Sequence, residues 1–278
     1  MRSFGLTLAR ILPIVIALVA GPAFTAWLPP DDELATFEQS EGEQVVFRFW
    51  VLVDAVKHLF PEGISPAAPR RNPAFSAPPG GFVEGSFVFR LGSYVFEREG
   101  RRISRKGVID GFLLIAAEVP AAMNPEGAQT ALLAEYYCND AELASLMREN
   151  GLRVGTLEGA FDSRLRADSQ QLVEGKVKPE GYGEWRWRLV TTDLRHYETA
   201  ASALRAFYKT AGELRALEIR YSDDFFMMAY GDVVFDGKAP PDGWEGWRWA
   251  GDRHSLYQYN TRNRHVILRV RPGAGDQR

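Results

Sequence analysis

Apolar positions fall into blocks whose spacing changes along the chain. Residues 11–28 form the first block, an uncharged stretch behind Arg2 and Arg10 and ahead of Asp31, Asp32 and Glu33. Positive before and negative after a short greasy run is the pattern of an export signal. Two readings stay open. Gly21, Pro22 and Ala23 offer small residues for cleavage after Ala23. Alternatively, eighteen apolar residues at ~1.5 Å each just cross a ~30 Å hydrocarbon core as a retained anchor. Residues 43–60 form the second block, with a β-branched and aromatic first half that suits a strand and a 54–60 half that suits a helical turn. The proline-rich residues 61–81 read as a loop or linker.

From Phe82 onward, two-residue alternation predicts antiparallel sheet, with SFVFRL and SYVFERE joined near Gly92 and a turn at Glu99-Gly100. Residues 112–119 then read as a strand. Asn124 and Pro125 have the form of a helix start, with Leu132, Leu133, Tyr136 and Tyr137 on one helical face. A second start at Asn139, with Glu142 three residues on, leads into Leu143, Leu146 and Met147 and stops at Gly151. Residues 152–158 return as a strand. The same grammar recurs: a strand at 185–192, Asp193 as a cap, Leu194, Tyr197, Ala201, Leu204 and Tyr208 at helical spacing, Gly212 as a stop, and a strand at 214–221. Residues 162–178 fit a polar hairpin between the two units. Strands at 225–230 and 232–235 follow, then a loop at 238–243, and 255–259 with 265–270 suggest a hairpin.

This pattern predicts an α+β protein with antiparallel-rich sheets and two strand–helix–strand units, possibly ferredoxin-like, behind the export signal or anchor. The expected division is 1–28 signal or anchor, 29–81 apolar segment and linker, 82–271 globular body, and 272–278 tail.

Composition changes this picture little. The chain has 278 residues, 46% hydrophobic and 25% charged, enough for a substantial core. A net charge of −3 gives no field for nucleic acid. The single cysteine, Cys138, excludes an intramolecular disulfide. The basic run Arg101, Arg102, Arg105 and Lys106 reads as a solvated strand edge.

The chain holds no GxSxG elbow, phosphate loop, GxGxxG, HExxH or EF-hand run, and no signature of a metal or cofactor. The four histidines, His58, His196, His254 and His265, have acids nearby in Asp54, Asp193 and Asp252. Adjacent residues on a strand point apart, however, so such clusters read first as caps or surface pairs. Asp223-Asp224 reads as a turn.

Trp-Arg-Trp occurs at 185–187 and again at 247–249. Period two puts Trp185, Trp187 and Leu189 on one face, opposite Glu184, Arg186 and Arg188, as on the inner side of a sheet. The alternative is a stacking surface, with Trp244, Trp247, Trp249, Arg248, Asp252 and His254 as candidate ligand-binding residues. The sequence therefore predicts an exported, envelope-associated binding or assembly protein without its own catalysis. The alternatives are a cell-wall polysaccharide or peptidoglycan binder and a periplasmic hydrolase. The expected partners are an envelope protein or cell-wall component, and the inner membrane if residues 11–28 are retained. The expected location is the periplasm, soluble or tethered.

Overall fold

The computed structural model describes residues 33–68, 80–124, 127–165, 171–195, 203–221, 224–236, 248–249, 253–259 and 263–270. Strands dominate them: β1 Glu33–Leu52, β2 Ser65–Pro66, β3 Phe82–Arg98, β4 Arg101–Glu118, β5 Gln129–Cys138, β6 Val154–Leu165, β7 Gln171–Pro179, β8 Glu184–Arg195, β9 Ala203–Lys209, β10 Leu214–Arg220, β11 Asp224–Asp236, β12 Arg248–Trp249, β13 Arg253–Tyr259 and β14 Asn263–Arg269. The α-helices among the described residues are α1, Val53–Val56, and α2, Ala141–Glu149.

Two branch points organise the sheet. One edge of β1 pairs with β3 along almost its whole length. Its other edge is divided: residues 33–39 pair with β14, 42–46 with β13, and Phe49 and Trp50 with β12. β5 branches in the same way, pairing with β4 on one edge and, in parallel, with β9 and β6 on the other. One closed barrel results, of seven strands β1, β3, β4, β5, β9, β10 and β14. A second ring closes through β6, β7, β8, β11 and β13. The two circuits share the wall β1–β3–β4–β5.

That wall is buried on both faces. Phe37, Val88, Phe96, Phe112, Leu114 and Tyr136 face the seven-stranded barrel, while Phe47, Phe49, Phe87, Phe89, Leu113 and Ile115 face the second ring. Double burial explains the unbroken apolar runs of these strands, because neither face is left for polar residues. α2 closes one end of the barrel with Leu143, Leu146 and Met147. Asp140 caps it, accepting from the Leu143 amide at 2.8 Å. Asn139, the residue expected in that role, instead accepts from the Ile109 amide at 2.8 Å.

The α+β, ferredoxin-like expectation is therefore overturned, and the reason is geometric. Leu132, Leu133, Tyr136 and Tyr137 imitate a helical stripe, yet they lie on β5. A bulge opposite Leu113 and Leu114 interrupts its alternation, and both of its faces are buried. Leu204 and Tyr208, four apart, share a strand face as readily as a helix face, and they lie on β9. Tyr197 and Ala201 lie outside the described residues. Asn124 does not start a helix. Its side chain bridges a turn, donating to the Ala128 carbonyl at 2.8 Å and accepting from the Ala128 amide at 3.0 Å. The expected hairpin of 255–259 with 265–270 is also absent: β13 and β14 pair with successive segments of β1. β3 runs unbroken through Gly92, with a register shift there, and turns at Glu99-Gly100.

Aromatic side chains fill the second ring. Trp185, Trp187 and Leu189 are buried, as period two predicts. Trp187 lies flat over Gly175, where an added Cβ would sit 1.9 Å from the indole ring. Gly175→Ala is expected to cost about 1–3 kcal/mol through overpacking. Urea unfolding should show a lower midpoint with an unchanged slope.

Candidate functional site

Charges embedded in apolar strands mark the interior of the seven-stranded barrel. Arg90 lies in the run SFVFRL of β3 and Asp110 in GVIDGFLLI of β4, and strand pairing sets them opposite each other. Both are fully buried. The guanidinium grips the carboxylate with two bonds: Nε to Oδ1 at 2.9 Å, and a short one from Nη2 to Oδ2. Tyr94 donates to Oδ1 and Tyr136 to Oδ2, each at 2.9 Å. The Arg90 guanidinium carbon also lies 4.2 Å from the centre of the Phe112 ring.

The third nitrogen of Arg90, Nη1, stands 2.7 Å from Nε2 of His265 on β14. An arginine only donates, so Nε2 accepts and a neutral imidazole carries its proton on Nδ1. Burial first, and then the positive charge of Arg90, hold His265 well below its usual range. The Asn263 backbone favours the imidazole proton, and no well-formed hydrogen bond reaches Nδ1 among the described residues. Burial works against the charge of Arg90, but Asp110 and the two tyrosines outweigh it and keep the guanidinium charged. Burial and Asp110 raise both tyrosines, so they remain hydroxyl donors. Burial also pushes the Cys138 thiol up to about 12, which leaves it a poor nucleophile.

Gln39 of β1 completes the layer. It is fully buried, and neither Oε1 nor Nε2 has a hydrogen-bond partner among the described residues. Its strand neighbours are Asn263 and Tyr94.

A cleft of about 660 Å³ opens beside this layer, lined by residues of β1, β3 and α2 that include Leu34, Phe37, Phe96, Arg98 and Glu149. Arg98 at its rim pairs with Glu142 and Glu149, each at 2.6 Å. Phe37 belongs to both places: it lines the cleft, and its ring stacks on His265 with centroids 4.4 Å apart and planes 12° apart. One phenyl ring thus separates the open cleft from the imidazole.

Three of the ligand-binding residues proposed from sequence fall on described strands, β12 and β13, outside the seven-stranded barrel. Arg248 and Trp249 form β12, opposite Trp50 and Phe49 of β1. His254 lies on β13 opposite Ala229. Trp244, Trp247, Asp252, His196 and Asp223 are outside the described residues. His58 is exposed, and its expected companion Asp54 pairs with Lys57 at 2.7 Å. Of the four histidines, His265 joins the buried cluster. Arg90 and Asp110 were signalled as polar residues inside otherwise apolar runs, whereas His265 stands at the polar edge of the run HVIL.

A second polar group lies in the other ring. Tyr182 donates to Glu135 Oε2 at 2.6 Å, and Tyr137 makes a short bond to the same oxygen. Arg205 and Glu218 form a further buried pair at 2.7 Å, held by the Met123 carbonyl at 2.5 Å. Among the described residues no group of three or more potential ligands is placed to hold a metal.

No protein-family model matches the chain, and no curated protein matches it. Solved structures do. An acetoacetate decarboxylase from Legionella pneumophila superposes with a TM-score of 0.52 at 8% identity, covering 96% of this chain and 98% of that one. The enduracididine biosynthesis enzyme MppR complexed with pyruvate gives 0.50 at 17%, covering 87% and 91%. The same enzyme with HEPES buffer bound gives 0.50 at 16%, covering 90% and 96%. The fold is therefore acetoacetate decarboxylase-like.

These neighbours are enzymes, and that finding corrects the expectation of an envelope binding or assembly protein without catalysis. It likewise removes the cell-wall binder and the hydrolase. The membrane-associated, exported reading loses support with them. No helix among the described residues is long and apolar enough to cross a membrane. Residues 11–28, on which the periplasmic address rests, lie outside the described residues.

Two outcomes follow from the cluster. Asp110→Asn leaves the buried guanidinium without its counter-charge and is expected to cost about 3–5 kcal/mol in urea unfolding. His265 titrates below its usual value when folded, so the unfolded chain binds the proton first. Stability should be complete above pH about 6.5 and decline as pH falls below it. In His265→Gln this part of the decline should be missing.

Proposed function

We propose that the chain is an enzyme acting on a small carbonyl compound, with the carbonyl oxygen polarised by neutral His265 and without a covalent lysine adduct. The observation that carries this reading is the Arg90–Asp110–His265 chain, fully buried at the centre of the barrel. Arg90 occupies Nε2, which fixes the imidazole proton on Nδ1 as a donor. A neutral imidazole N–H in a water-poor interior stabilises an oxygen as negative charge grows on it. Tyr94 and Tyr136 are spent on Asp110, and they hold the carboxylate that holds Arg90. Loss of CO2 from a β-oxo acid, or of a proton next to a ketone to solvent water, leaves an enolate whose oxygen would accept from Nδ1–H, and water returns the proton to carbon.

The fold's neighbours support the choice of substrate class: one is an acetoacetate decarboxylase and another was solved with pyruvate. The chemistry proposed here differs from imine formation. A lysine that attacks a carbonyl at neutral pH needs desolvation or a neighbouring cation to lower its pKa. Lys57, Lys106, Lys176, Lys178 and Lys209 are all exposed. Lys238 lies outside the described residues.

The test is to incubate the protein with acetoacetate, whose carboxylate leaves as CO2, and with acetone in D2O. CO2 release and methyl deuteration are followed by NMR, with and without sodium borohydride. Turnover that survives borohydride and falls roughly 100-fold or more in His265→Gln is expected. A reduced substrate adduct on any lysine, found by mass spectrometry, would overturn the reading.

A further inference from the structure

We propose that Gln39 is the substrate-recognition residue of this layer, and that it reads an uncharged donor–acceptor pair, a hydroxyl beside a carbonyl, in preference to a carboxylate. This rests on the barrel interior being the reactive site. Gln39 and Phe37 are two apart on β1 and share a face, and Phe37 stacks on His265. The Gln39 amide therefore borders the same interior as the imidazole.

The chain makes room for this amide. Opposite the β4 bulge it keeps Gly92, where an added Cβ would sit 2.8 Å from Gln39 Nε2. An unpaired amide buried this deeply destabilises the fold, because each polar group has given up water for no new bond. Leucine or methionine would fill the space without that cost. Both ends of the amide are unmatched, so the complementary ligand offers an acceptor to Nε2 and a donor to Oε1.

Charge decides between ligand classes. Among the described residues the layer holds one cation, Arg90, and Asp110 takes two of its nitrogens. His265 is neutral. A carboxylate set against Gln39 would add a net buried charge, with no free cation among the described residues of the layer to meet it. A hydroxyl and a carbonyl satisfy the amide and add no charge. In the enolate chemistry above, the carbonyl oxygen faces His265 Nδ1–H while the neighbouring hydroxyl rests on Gln39.

The experiment compares hydroxyacetone with acetone, which lacks the hydroxyl, by calorimetric titration of wild type and Gln39→Met. The same samples are unfolded thermally. Wild type is expected to bind hydroxyacetone more tightly than acetone. In Gln39→Met, hydroxyacetone affinity should drop about tenfold or more, acetone affinity should stay within about twofold, and Tm should hold or rise. Equal hydroxyacetone affinity in the two proteins would sink the recognition role. A Tm several degrees lower would also sink it, because Gln39 would then be satisfied within the fold by fixed water. If wild type binds neither probe while His265→Gln leaves acetoacetate turnover untouched, the barrel interior is not the site and both readings fail. If turnover depends on His265 but hydroxyacetone does not bind, the assignment of Gln39 alone falls.

Discussion

Along their central stretches, four strands of this protein, β1, β3, β4 and β5, are covered on both sides. Most side chains there enter one of two interiors, and the sequence alternates between the two. That constraint decides the rest. It makes these stretches largely apolar, and it puts a polar residue such as Arg90 or Asp110 into a fully desolvated position. There it must find partners or carry a cost. The wall is thus both the structural spine and the place where a charge has the greatest effect.

Arg90 and Asp110 meet that demand together. Their forked pairing answers the desolvation of both, and Tyr94, Tyr136 and His265 satisfy much of what remains. The arrangement is rigid because each member fixes another: tyrosines fix the carboxylate, the carboxylate fixes the guanidinium, and the guanidinium fixes the imidazole tautomer. The Gln39 amide, which finds no hydrogen-bond partner among the described residues, then stands out against its bonded neighbours. The surface ion pairs of Arg98 with Glu142 and Glu149 are a different matter, exposed and individually weak.

Much of the local structure was legible in the sequence, and the architecture was not. The strand at 185–189 reads directly, because tryptophan alternating with arginine puts every indole on one face of a strand. The helix at 141–149 reads as well, missing its cap by one residue. β5 and β9 did not, for a definite reason. A spacing of four is a multiple of two, and a bulge in a doubly buried strand produces adjacent apolar pairs like those of a helix. Nothing local distinguishes the cases, since the difference lies in whether partners cover both faces. The site was hidden by the same logic. Attention goes to tryptophan clusters and histidine–acid neighbours, which are local, whereas Arg90, Asp110 and His265 are brought together across strands far apart in the chain. The available clue was the lone arginine in SFVFRL and the lone aspartate in GVIDGFLLI.

The pairing of β1 with β14 has a kinetic consequence. Glu33 lies against Leu268, so the barrel closes only when the last strand docks beside the first. Contacts of such long sequence separation are slow to form. During synthesis, this part of the β1 edge stays unfilled until β14 has left the ribosome. Through that interval the greasy wall is exposed to other chains, and a folding helper would raise the yield of folded protein.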